Sequence, residues 1–186
     1  MEISFNRPWL TALLCLSLFV CACERRQPRL DFRVRVDFSQ VPELYGVNID
    51  WDSLALQWDH EPLGPNPPGG HGVLLDSTWV ELPTKALSTA FVRSMHRSTL
   101  LYESYVLPGD MGRVWPRSLR VEGVLASGRV MPMESILEPI SVKFPLHPGE
   151  TTTVEVVLIP LRNLGARKGT YALYVKSAQW AEGLSF

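Results

Sequence analysis

From Leu30 to Phe38 the chain alternates without a break, with Leu30, Phe32, Val34, Val36 and Phe38 interleaved by Asp31, Arg33, Arg35 and Asp37. Successive side chains of an extended backbone point to opposite faces, so a period of two writes a strand with one face in a core and one in water. Such a strand cannot stand alone. It needs neighbours to pair with and a second apolar layer to cover its buried face.

The rest of the sequence supplies them. From about Gly46 to Trp58, Val47, Ile49 and Trp51 share one parity and Leu54, Leu56 and Trp58 the other; the change of phase at Asp52-Ser53 predicts a bulge or a bend. Residues 59–72 read DHEPLGPNPPGGHG, too rich in proline and glycine for regular structure, and predict an exposed loop. Val73 to Leu82 and Leu100 to Leu107 read as extended. Between Thr84 and Arg97, Leu87, Ala90, Phe91 and Met95 would share a helical face, with Thr84 as its cap, which predicts one short helix. Pro108-Gly109-Asp110-Met111-Gly112 turns the chain. Arg117 to Leu125 and Arg129 to Met133 then read as a hairpin about Ser127-Gly128. Ile140 to Leu146, Thr151 to Ile159 and the segment from Gly169, with Tyr171, Leu173 and Val175, alternate again. The expectation is an all-β chain: a single antiparallel β-sandwich of about 7–9 strands with at most one short helix.

The N-terminus has the order of an export signal: a short polar start ending in Arg7, an apolar stretch from Trp9 to Val20, then Val20-Cys21-Ala22-Cys23. That stretch is well short of the roughly 20 residues a membrane span needs. The tetrapeptide resembles the bacterial lipobox, with an aliphatic residue three positions before the cysteine and a small one immediately before it. The resemblance implies that Cys23 takes a diacylglycerol and becomes the first residue of the mature chain, with the two or three acyl chains that stable anchoring requires. A secretory signal cut elsewhere is the alternative. The expected organisation is a signal peptide over 1–22, a lipidated tether over 23–29, a sandwich domain over 30–180 and a tail over 181–186.

Cys15 and Cys21 fall inside that signal, so a chain beginning at Cys23 has no second thiol for a disulfide or a cysteine-based metal site. Eighteen basic residues against 19 acidic ones give a formal net charge of −1, with the signs mixed along the chain. No basic face marks the chain as a nucleic-acid binder. Packing alone has to hold the core.

The order of segments also resembles a family of bacterial lipoprotein domains whose function is undescribed, of prealbumin-like or carboxypeptidase-regulatory-like, immunoglobulin-like form. The pieces that carry it are the opening strand, Val47 to Leu56, Leu107-Pro108-Gly109 feeding Leu119 to Val124, and Ile140 to Leu158 followed by Gly169-Thr170-Tyr171. Where that family's pattern has a glycine and a tyrosine after the turn, this chain has Asp110-Met111-Gly112. The resemblance implies a sandwich and no known activity.

Few residues announce chemistry. His60, His71, His96 and His147 never fall at zinc-ligand spacing, and no G-x-S-x-G is present. Asp50 and Asp52 would project from the same strand face, as ligands to a hard cation or simply as a solvated face. Trp51 and Trp79 lie in strand patterns and are expected in the core. Trp115, beside Pro116, and Trp180, beyond the last predicted strand, are the surface candidates for contacting a ligand, because indole faces stack on sugars and anchor protein partners. The sequence reading is therefore an envelope lipoprotein anchored in the membrane by lipid, facing periplasm or cell surface, that serves as a non-catalytic binding or structural module. Its partners would be envelope proteins or glycans, with no cofactor beyond the covalent lipid. A carbohydrate-binding or adhesive surface module is the alternative, and a hydrolase the third reading.

Overall fold

The computed structural model describes residues 27–59, 73–74, 79–84, 87–163 and 170–182. Cys23 with the whole of the expected signal, most of the expected Pro/Gly loop with His60 and His71, and the residues after Glu182 lie outside them. The described chain is all-β. Eleven strands occur among the described residues, two more than the upper expectation, and none of those residues is helical.

Four strands, joined further on by part of a fifth, build a first sheet. β1 (Arg29–Val36) lies between β6 (Thr99–Tyr105), antiparallel to it, and β10 (Thr151–Arg162), parallel to it; β10 then pairs antiparallel with β11 (Tyr171–Glu182). The second sheet is organised around one long antiparallel pair, β2 (Leu44–Trp58) with β7 (Gly109–Leu125), each flanked on its other side by two short strands. For β2 these are β5 (Ser88–Val92) and β4 (Trp79–Pro83), the latter carrying β3 (Val73–Leu74) on its outer edge. For β7 they are β8 (Val130–Ile136) and β9 (Ile140–Leu146). β8 also joins the sheets: Val130 to Met133 pair with β7, and Glu134 to Ile136 run parallel to Ala172–Tyr174 of β11. The two sheets thus wrap into a nearly barrel-shaped body.

The opening alternation is satisfied residue by residue. Leu30, Phe32 and Val34 are fully buried and meet Val47, Ile49, Trp51, Val154, Val156 and Leu158 in one core cluster. The phase change in β2 is a bulge: the register slips on both sides of Trp51, leaving Asp52 without a cross-strand partner in β7. Trp51 stays inside, where its indole N–H donates to Thr89 Oγ1 at 3.1 Å.

Three expectations are corrected. The stretch expected as a short helix contains β5 instead. Phe91 is buried from it, whereas Leu87 and Met95, which would have shared its helical face, are exposed. Pairing with β2 satisfies this backbone, and the β-branched Thr89 and Val92 suit a strand. The sandwich is not wholly antiparallel, because β1 is inserted parallel to β10 and part of β8 parallel to β11. Finally, Trp180 is not beyond the last strand: β11 continues to Glu182, and Trp180 is opposite Val154 in the ladder.

Candidate functional site

The outer face of the second sheet gathers the most chemically varied side chains. In the β4–β2–β7 register, Trp79 faces Gln57, Glu81 faces Ala55, Ala55 faces Trp115, Gln57 faces Arg113, and Ser53 faces Arg117. The alternate residues Leu54, Leu56, Leu82 and Val114 are buried, so this set points away from the core. Trp79 therefore belongs to the outer face and not to the core where its strand pattern alone would put it. The parity of a five-residue strand does not say which side faces inward until its partner is known.

Trp79 and Trp115 meet edge-to-face, with ring centroids 6.1 Å apart and planes at 70°, the arrangement aromatic quadrupoles prefer. The Arg117 guanidinium lies 5.2 Å from the centre of the Trp115 ring, and the Trp115 indole N–H donates to the Leu137 carbonyl. Arg117 in turn donates to Glu81 Oε1 at 2.8 Å and lies 3.4 Å from Asp52 Oδ2, while the Ser53 hydroxyl donates to the same Glu81 oxygen. Alanine at position 55 leaves room for this layer. It is fully buried although it faces away from the core, set between Glu81 and Trp115 in the ladder. Arg113, exposed, borders Trp115 two residues along the strand.

Of the residues singled out in the sequence, Trp115 and Asp52 are brought into one cluster; Asp50 and Trp180 are not in it. Asp50 is half-buried opposite Ser88 and Arg120. Asp50 is thus opposite an arginine of β7 in the ladder, and Arg117 of the same strand lies against Asp52. Among the described residues the group whose ligand atoms all fall within 4.8 Å of one another is a different one: His147, Glu150 and Glu182, all exposed. Trp180 is two residues from Glu182, at the end of the fold where the β9–β10 turn also lies. Sequence spacing could not find that group, because Glu182 reaches it only through the β10–β11 ladder, where it is opposite Thr152.

No protein-family model and no curated protein sequence matches this chain. Among solved structures, a Bacteroides fragilis chain provisionally described as a cell adhesion protein is similar with a TM-score of 0.31 and 12% identity, over 86% of this chain and 48% of that one. The chain thus spans about half the length of that protein. A likeness at that score carries no argument about this chain's activity, and the lipoprotein-domain resemblance gains no support from these comparisons.

Proposed function

We propose that the chain is a non-catalytic binding module of the bacterial envelope, held to a membrane by lipid on Cys23, with the outer face of β4, β2 and β7 as its contact surface. The observation that supports this reading is the Trp79–Trp115–Arg117 cluster. It joins indoles from β4 and β7 edge-to-face under an arginine that Glu81 and Asp52 hold by ion pairs. Tryptophan and arginine held in one conformation lose little entropy on binding, which is why they anchor interfaces.

Carbohydrate recognition by the same face is the second reading. Aromatic faces bordered by Arg113, Gln57, Asp52 and Glu81 combine an apolar platform with the hydrogen-bonding groups that a sugar's hydroxyls require. Titrating the protein with peptidoglycan fragments and envelope polysaccharides, followed by tryptophan emission, tests it. A shift abolished by Arg113→Ala and Trp115→Phe supports sugar binding; no shift with any glycan sinks it and leaves protein partners. Labelled palmitate tests the anchor: incorporation lost in Cys23→Ala is the expected result, and unaltered processing of that variant overturns it.

A further inference from the structure

The point where the tether enters the fold fixes which end of the domain would meet the membrane. Pro28 is laced into that end by its carbonyl, which accepts from the Val106 N–H at 2.9 Å, and Arg29 donates its N–H to the Glu150 carbonyl at 2.8 Å. Cys23 precedes Gln27 by only four peptide units, which reach roughly 14 Å when fully extended. A lipid on Cys23 would therefore hold this end, and not another, within about that distance of the headgroups.

The same end carries Gly109 and Asp110 at the start of β7, the β9–β10 turn from His147 to Glu150, and the end of β11. Two large aromatics are exposed there, Tyr105 at 58% and Trp180 at 37%. Such rings, apolar in body and polar at the tip, favour the membrane–water interface. Exposed carboxylates of Asp110, Glu150 and Glu182 share this end with the partly exposed Arg29, and Arg25 and Arg26 follow Cys23 in the sequence, so the contact argued here is that of the aromatics and the covalent lipid together. At the opposite end, the exposed Tyr45, Met95 and Val130 surround the β7–β8 turn.

We infer that the domain sits on the bilayer by the end formed by Tyr105, Asp110, the His147–Glu150 turn and Trp180–Glu182, and so presents the β7–β8 turn outward. This rests on lipidation at Cys23. The test uses the processed, lipidated chain on phosphatidylcholine nanodiscs containing a headgroup spin label, read by backbone amide NMR. Docking predicts loss of the amide signals of Asp110, Glu150 and Glu182 with those of Met95, Ser127 and Gly128 retained. Tyr105→Ala with Trp180→Ala should narrow the difference in signal loss between the two ends while the chain stays on the disc, because the tether alone keeps this end near the headgroups without fixing its orientation. Retention of all these signals, or equal loss at both ends, overturns the orientation with anchoring intact. Failure of the chain to attach at all is instead a failure of the lipid reading. In that event a maleimide lipid coupled to Cys23 repeats the same measurement and decides the orientation separately.

Discussion

Gly109 shows how much one residue can be asked to do. It opens β7 with φ of +147°, and a Cβ built on it would lie 2.5 Å from Cζ3 of the buried Trp58. Both the backbone region and the close approach require glycine. Gly109→Ala should cost roughly 1–3 kcal/mol, by backbone strain and by displacing Trp58, and denaturant unfolding should report it as a lower midpoint. Gly128 also has positive φ, at +81°, but nothing lies within 4 Å of its would-be Cβ, so there only the backbone term applies. Asp37 offers a second residue-scale prediction. The Lys176 ammonium bonds its carboxylate and the Ser39 N–H adds another bond, bringing its pKa from 3.8 down to about 2. A carboxyl whose pKa is depressed by folding stabilises the native state above its ordinary value, and that contribution is lost as the folded group protonates. Stability should therefore fall through this pair between about pH 4 and pH 2, and Asp37→Asn should flatten that part of a pH–stability curve.

At the scale of strands, what could be read in advance divides by how local the signal is. β1, β9 and β10 were legible because each carries its own alternation, and the bulge at Asp52 was legible because it interrupts one. β5 was not: the spacing of Leu87, Phe91 and Met95 is a local pattern, while the ladder to Val47 and Ile49 that decides its conformation is made some forty residues away along the chain. The same limit hid the outward side of Trp79, half of the aromatic cluster, whereas Trp115 was recognised from its own neighbourhood. β10 misleads in the other direction. Thr153, Glu155 and Val157 alternate with its core residues, yet they are buried too. Glu155 accepts bonds from Arg35 and Gln179 on the strands either side, and long neighbouring side chains cover this face. Apolar residues of similar type should accordingly differ in cost by their strand position. Leu158→Ala, fully buried in β10, should lose about 2–5 kcal/mol. Leu119→Ala, 74% exposed at an irregular step in the β2–β7 register, should lie within about 0.5 kcal/mol of wild type, both read by thermal or denaturant unfolding.

For the molecule as a whole, the parallel insertion of β1 is the decisive event. This first described strand pairs with β6 some seventy residues later and with β10 some 120 residues later, so neither ladder can form until most of the chain is available. Ordering such distant segments before their contacts compensate makes folding slow, in the range of milliseconds to seconds for sheet proteins of this kind. It also makes the first sheet dependent on its earliest strand. Without β1, β6 loses its partner, one edge of β10 is left unpaired, and the core loses four inward residues, Leu30, Phe32, Val34 and Val36. Edges exposed in this way are templates for pairing with other chains. A chain beginning at Phe38 should lose its cooperative thermal transition and near-ultraviolet circular dichroism and should aggregate, while one beginning at Gln27 keeps all three native properties. A chain from Phe38 that still melts cooperatively as a monomer would show that the second sheet, with β2 and β7 at its centre, carries the fold alone. The position of β1 would then matter only for the first sheet.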